Sequence, residues 1–577
     1  MRPTIISRCA RGFLTALFCF SPPVSAYQLI AAAVIPETPG SPRAILPSTV
    51  AVSMVPSPED LPTTDIPAAA AKRSPELMPT KDQRVTPTTQ TDGIRIRVTE
   101  FEFTGNTAIS SEALNTVLRQ WVNRALNFGE LIQCVELIET YYKAAGFFLI
   151  QANLPPQKIK DGVIEIAISE GTLAETRLEG ESRVSAEVVF GYLDKLPKGE
   201  ALRLSNLERQ ILLINELAGG QASLDLQAGE LPGTTDVVLN QTPENLITGR
   251  LEGNNYGLPA TGVHRASLTL NANSPFNSGE RISLNVMSSD TSALASYYLR
   301  GDFPIQSDGL RLYSAAARSE YILGGAFEKL KMSGIADSFR VGLSYPIVRS
   351  RASNLKVQFE RDTAGLTDKS LGIATNKRSD GYNFQATADW QDDLLMSGST
   401  RLDLLHRSGS LVLGTNALPS DLGRTEGLFN KTLATLTRNE SITQTLSFQA
   451  LWMRQWAGKN LDASEKLSVG SAAVMPGYSG EASGDEGQIT HFHLRWQPQP
   501  GFAISAFRDY ATVWLMRDPF VEGVQNVRFL SDYGTTVDWN IAETVTLSST
   551  LAWAYPPPTN PTQKYNPRLW VNMMYGW

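Results

Sequence analysis

Cysteine is almost missing from this 577-residue chain, which holds only Cys9, Cys19 and Cys134. Three scattered thiols exclude a disulfide scaffold and a cysteine-ligated zinc site. Histidine is equally scarce, at His264, His406, His491 and His493. No apolar run reaches the ~18 residues that a membrane-spanning helix requires. No glycine-rich phosphate loop precedes a helix, so no nucleotide site is expected. Excess positive charge is lacking too. Acids number 58 against 51 Lys and Arg, a net charge of −7, which argues against a nucleic-acid partner. The chain is not a disordered polymer, because 42% of it is hydrophobic and only 19% charged. At ~150 residues per domain, the length allows about four domains.

Residues 1–26 have the pattern of an export signal. Arg2, Arg8 and Arg11 form a basic start, Gly12 to Phe20 a short apolar core, and Val24-Ser25-Ala26 a small-residue cleavage site after Pro22-Pro23. The core is too short to span a membrane, and bulky Phe18 before Cys19 argues against a lipoprotein signal. Cleavage removes three arginines and no acids, taking the net charge from −7 to −10 and leaving Cys134 as the sole thiol. Residues 27–93 contain 11 of the 33 prolines, with many Ala, Ser and Thr. That spacing defeats helix and sheet ladders and predicts an extended tether.

From residue 94 the pattern is that of a compact α+β module. Ile94, Ile96 and Val98 alternate with polar residues as in a half-buried strand, and Phe103-Thr104-Gly105-Asn106 makes a turn. Ser110 or Ser111 can cap a helix with Leu114, Val117, Leu118 and Trp121 on one face. A second helix places Leu131, Cys134, Val135, Ile138, Tyr141 and Tyr142 at helical spacing and stops at Gly146. Strands at 147–152 and 163–168 complete a module over 94–170. The same order returns over 171–243, with a strand at 174–178 and a helix near 184–193. A Ser205-x-x-Glu208 capping box opens a further helix with Leu204, Leu207, Ile211 and Ile214 inward. Gly219-Gly220 ends it, and two strands follow.

Helical periodicity disappears after about residue 244. Short alternating segments replace it, such as Ala266, Leu268, Leu270 and Ala272, or Leu446, Phe448, Ala450 and Trp452. Roughly sixteen such segments, at ~20 residues per strand and connection, predict an all-β transmembrane barrel of about 16 antiparallel strands over 244–577. The final segment is the most specific: Leu569, Val571, Met573, Tyr575 and Trp577 are apolar at every second position, and the chain ends on Trp577. A barrel satisfies every backbone group in lipid by closing its last strand onto its first, so Met573, Tyr575 and Trp577 are the expected assembly signal.

Two α+β modules before a sixteen-strand barrel resemble the two-partner secretion transporters, the TpsB or hemolysin secretion-activation family (ShlB/FhaC/HecB-like), of the outer-membrane assembly-factor superfamily. The resemblance covers about residues 94–577. Phe103-x-Gly105-Asn106, Tyr142-Lys143-Ala144-Ala145-Gly146-Phe147, Leu154-Pro155-Pro156-Gln157, Gly162-Val163-Ile164 and Glu170-Gly171 resemble the first polypeptide-transport-associated (POTRA) domain. Leu207-Glu208-Arg209 and Leu212-Leu213-Ile214-Asn215 are similar to the helix of the second. Met475 to Gly487, within a connection over 456–487, resembles the family's long lumenal loop. Its tip has a Val-Arg-Gly-Tyr type of motif, matched by Gly477 and Tyr478, while Gly484-Asp485-x-Gly487 matches the turn after it. The family arginine falls on Pro476. Phe507-x-Asp509 is similar to the wall motif whose aspartate holds that arginine, with Ala511 replacing its usual glycine. Asp509 then needs another cation or water, and Arg508 points to the opposite strand face.

What the resemblance implies is an outer-membrane protein of a Gram-negative bacterium with POTRA domains in the periplasm. An unfolded exported partner protein of hemolysin or adhesin type meets those domains, passes through the barrel as the loop shifts, and folds outside, which biases its motion outward. An insertion and assembly factor for outer-membrane proteins is the alternative. Outer-membrane lipid and the barrel-assembly machinery are the further expected partners. No enzyme activity, cofactor or metal is expected. His491 and His493 share a strand face and could grip a metal, but the sequence shows no third ligand, which favours a surface or lumenal pair.

Overall fold

The computed structural model describes residues 95–577 apart from 292, 481, 521, 522, 524 and 559–565. The expected export signal and the whole proline-rich tether lie outside the described residues.

The first module is a three-stranded sheet under two helices. Its central strand, Val163–Glu170, runs parallel to Glu100–Thr104 and antiparallel to Ile150–Asn153. Helix α1 (Ser111–Leu118) is capped by Ser110, whose Oγ accepts from Ala113 N at 3.3 Å. Helix α2 (Phe128–Ala144) opens with a reciprocal box that sequence inspection missed: Asn127 Oδ1 accepts from Glu130 N at 2.8 Å, and Glu130 Oε2 from Asn127 N at 2.7 Å. Leu114, Leu118, Leu131, Cys134, Ile138 and Tyr142 pack on Phe101, Ile164 and Ile166. Tyr141, expected in that stripe, is 38% exposed, because it sits one position past the buried face. Burial pushes the Cys134 thiol up to about 11. An additional two-stranded ribbon, Ile96–Val98 with Arg124–Leu126, leads into α2.

Glu170 ties this module together. Its carboxylate accepts from Thr107 N and Ala108 N, both at 3.0 Å, and from Tyr142 Oη at 2.7 Å. Burial by itself would raise its pKa. The hydrogen bonds from Thr107, Tyr142 and Ala108 outweigh burial and hold the carboxyl below its ordinary value.

The second module repeats the plan: Thr234–Pro243 lies between parallel Thr172–Gly180 and antiparallel Gly220–Ala228. Its helices are α3 (Ala186–Leu193) and α4 (Leu204–Ile214). The Ser205–Glu208 capping box does not form. Arg203 is the cap residue and makes no side-chain cap bond, while Ser205 lies inside the first turn. Two tertiary contacts replace the box. Leu204 N donates to Gly146 O of the first module at 3.0 Å, and Glu208 turns to Arg351, accepting its backbone N–H at 3.2 Å. Leu204 is accordingly 39% exposed rather than inward, while Leu207 and Ile214 are buried.

The rest forms a closed barrel of sixteen strands, from Ile247–Asn254 to Arg568–Gly576. Every strand pairs antiparallel with its chain neighbour, and the last closes onto the first with Met573 opposite Gly253 and Tyr575 opposite Leu251. Met573, Tyr575 and Trp577 are half-exposed on the outer face, where the apolar alternation predicts lipid. The Trp577 backbone extends the seam: its N donates to Gly249 O at 3.0 Å and its O accepts from Gly249 N at 3.1 Å. A side chain on Gly249 would run into the Trp577 indole.

Candidate functional site: the lumenal loop and its seat

Residues 458–485 leave the Leu446–Ala457 strand and return at Glu486–Gln499. Between them lie a single 3-10 turn, Ala463–Glu465, and a small ribbon of Leu467–Val469 with Ala482–Gly484. The loop enters the barrel because it carries an apolar face of its own. Val469, Met475, Tyr478 and Ala482 pack against inward-facing Leu451, Met453, Ile489, Ala511, Val513, Leu530 and Ala554. Met475 and Tyr478 are fully buried, worth about 1.5–3 kcal/mol each as apolar burial.

The tip is held through its backbone. Pro476 O accepts from Trp570 Nε1 at 2.6 Å, and Gly477 N donates to Asp532 Oδ2 at 2.6 Å. Tyr478 Oη lies 2.8 Å from Pro556 O. Glycine is required at 477 by close approach: a Cβ there would stand 2.7 Å from Asp532 Cβ and 2.9 Å from Ala554 N. Met475 takes the left-handed conformation, φ 58°, which only tight packing imposes on such a side chain. Asp485 makes the return turn, accepting from Leu461 N at 3.1 Å and Arg517 N at 2.8 Å beside Lys466 Nζ at 2.9 Å. Gly484 pairs with Leu467 in the ribbon, and Gly487 already belongs to the wall, opposite Gln455 and Val513.

The tip thus sits against Asp532, one strand beyond the Asp509 expected from the sequence pattern. The two aspartates are adjacent in register, and Asp509 in turn stands opposite His491. His491 Nδ1 lies 2.9 Å from Asp509 Oδ1. Phe507, two residues along the same face, stacks on His493 with ring centroids 5.4 Å apart. Arg508 does point outward, over the Tyr510 and Tyr533 rings, and makes no direct ion pair with Asp509.

A second anchor was not found from the sequence. Glu465, on the 3-10 turn, lies 3.3 Å from Arg407 Nε and 3.0 Å from Lys431 Nζ, and accepts from Ser379 Oγ at 3.1 Å. Arg407 also pairs with Asp362. Asp462 pairs with Lys377 at 2.8 Å. All of these wall residues are inward positions of strands whose inner face mixes charged, polar and small residues. Nothing in the local pattern marks the few that meet the loop.

The second module docks on the barrel end that carries the short turns. Arg209 Nη2 donates to Asp308 O at 3.0 Å and Pro346 O at 2.9 Å, and Glu216 pairs with Arg349 at 2.6 Å. Ala218 N and Ser185 N donate to Gly279 O and Asn277 O. The Leu207-Glu208-Arg209 segment is therefore the joint between module and barrel.

These features define a transmembrane β-barrel with a lumenal loop and an α+β front. Residues 233–518 match the family described as haemolysin secretion/activation protein ShlB/FhaC/HecB, and residues 96–171 match the POTRA domain, ShlB-type. The chain is 23% identical over 497 residues to the heme/hemopexin transporter protein HuxB of Haemophilus influenzae, covering 84% of this chain and 87% of that protein. It is 22% identical over 450 residues to the outer membrane transporter CdiB of Escherichia coli O6:K15:H31 (strain 536 / UPEC), covering 70% of each. The solved CdiB structure from Escherichia coli superposes with a TM-score of 0.69 at 18% identity, over 86% of this chain and 93% of that one. The CdiB structure from Acinetobacter baumannii gives 0.62 at 17% identity, over 86% and 94%. The chain belongs to the ShlB/FhaC/HecB family of two-partner secretion transporters, outer-membrane proteins whose POTRA domains are periplasmic. Members of this family are transporters that pair with a secreted exoprotein.

Proposed function

We propose that both front modules, 94–170 and 171–243, act as POTRA domains that receive one unfolded exported partner protein, and that the barrel over 244–577 carries it to the cell surface. The observation that carries this proposal is the joint between α4 and the short-turn end of the barrel, which sets the modules beside the lumen. Strands Ile150–Asn153 and Gly220–Ala228 are sheet edges. An extended chain adds to such an edge through backbone hydrogen bonds that demand little of its sequence. The loop between Ala457 and Glu486 packs on the inner wall of the barrel and has to leave its seat for a chain to pass. Met475, Pro476, Gly477 and Tyr478 are the latch, with Asp532 its receiver and Phe507 and Asp509 the adjoining wall. Asp485 between Gly484 and Gly487 is the hinge on the return side. The relatives named as heme/hemopexin transporter and as CdiB do not share a cargo name, so the cargo assigned here is a class: an extended exoprotein.

Deleting 94–243 tests the division of labour. The truncated chain is expected to reach the outer membrane as a heat-modifiable barrel and to export none of its partner. Export at the full-length rate refutes the receiving role. Insertion of other barrels by the full chain, with no exoprotein released, would favour an assembly factor.

A further inference from the structure

The wall beside the loop tip carries a cluster that the transport role does not use. His491 and His493 project into the lumen from Glu486–Gln499, and Asp509 from the next strand, Phe502–Trp514. One ligand atom from each lies within 4.8 Å of the other two. Asp509 is 1% exposed, yet neither of its oxygens accepts a hydrogen bond, and His491 Nδ1 approaches at 2.9 Å without the direction of an N–H···O bond. Asp532, fully buried on the following strand, accepts from Gly477 N through one oxygen, while Oδ1 accepts from no N–H and its carboxyl interacts with that of Asp509. Among the described residues no Lys or Arg pairs with either carboxylate, and two adjacent buried carboxylates are costly unless a cation or a shared proton joins them.

We propose that His491, His493 and Asp509 form a lumenal binding site for a divalent transition-metal ion of the zinc class. Two imidazoles and a carboxylate are the donor set that borderline ions select, and they leave a position open for water or Asp532. Zinc–ligand bonds of about 2.0–2.2 Å in tetrahedral geometry require donors about 3.3–3.5 Å apart, which small side-chain rotations reach from the present spacing. Phe507 stacked on His493 fixes one ring plane. Strand pairing fixes the rest, because His491 and Asp509 face each other in register. The bound ion neutralises Asp509, relieves its repulsion with Asp532, and leaves Asp532 free to hold the Gly477 amide. The ion thereby fastens two wall strands and steadies the loop tip, in the place where the family pattern has an arginine and this chain has Pro476.

The test uses the full-length protein in detergent micelles, purified without a histidine tag and stripped with EDTA. Zinc is added at micromolar free concentration and the retained ion is measured by elemental analysis, with Co2+ absorption as the spectroscopic probe. About one ion per chain is expected in the wild type and in a His264→Gln/His406→Gln control. His491→Gln, His493→Gln and Asp509→Asn should each weaken binding about 10–100-fold. Hydrogen exchange of residues 475–478 should slow when zinc is present. A wild-type chain that retains no zinc, or no more than the His491→Gln/His493→Gln double variant, overturns the proposal and leaves a shared proton between Asp509 and Asp532. The wild-type measurement alone suffices if a variant fails to fold. Since binding is read without any export, its failure is separate from failure of the transport role.

Discussion

Arg407→Met separates the loop's electrostatic anchor from its apolar one. Arg407, Asp362 and Glu465 have side chains 7%, 9% and 6% exposed, so the ion pairs are shielded from bulk water. Removing one member of a buried pair costs about 3–5 kcal/mol, because the other charge remains uncompensated. Here the loss is partly offset. Glu465 keeps Lys431 Nζ at 3.0 Å and Ser379 Oγ at 3.1 Å, while Asp362 keeps Asn383 Nδ2 at 3.0 Å. The share that falls on seating the loop is therefore about 1–2 kcal/mol, a change of roughly 5–30-fold in the ratio of seated to unseated loop. Hydrogen exchange over residues 458–485 should accelerate by that factor, and open-channel noise in planar bilayers should rise. Arg401→Met is the control, because its pair with Asp403 is half-exposed and worth less than about 1 kcal/mol. A cycle with Glu465→Gln should show coupling of about 1 kcal/mol or more. Additive effects, or unchanged protection of the loop in Arg407→Met, would show that Glu465 does not hold it.

Removing Tyr575 and Trp577 takes away outer-face aromatics and the seam bonds to Gly249; less heat-modifiable barrel should appear in the membrane, and normal levels would refute a seam role. Glu170 has its folded-state pKa held down, so its contribution is present above the ordinary carboxyl value and is lost as pH falls through the lower folded value. Exchange of residues 104–110 should therefore accelerate in acid below about pH 4.5, and Glu170→Gln, already without the charge, should flatten that dependence. Equal pH profiles for the two proteins would sink it. Pro476→Arg should place a cation beside the aspartate pair and couple to Asp509→Ala by about 1 kcal/mol or more in unfolding. Additive behaviour would mean that the tip side chain does not reach Asp509.

Much of the architecture was legible in residue order because period is a local property. The helical stripe ending at Tyr142 and the two-residue alternation after residue 244 each record which face is buried, and the sixteen-strand closure followed from counting the latter. Tyr141 and Leu204 went astray at the edges of stripes, where one position decides burial. Ser205 and Glu208 mimic a capping box, but α4 starts at Leu204 and its first N–H finds Gly146 in another module. No local rule anticipates a partner so far away in the chain.

The candidate site divides along the same line. The family resemblance pointed to a loop over 456–487 with a Gly477-Tyr478 tip and a Phe507-x-Asp509 wall, and the barrel strands bound that connection at 458–485. Which wall residue meets the tip depends on the registers of separate strands and on how deeply the loop descends. Asp532 rather than Asp509 receives Gly477, Arg407 and Lys431 receive Glu465, and Asp509 becomes the third member of a group whose first two are His491 and His493. The contacts of Gly477 and Glu465 join residues tens of positions apart and need the loop seated inside the barrel, whereas His491 and Asp509 meet through the register of two neighbouring strands.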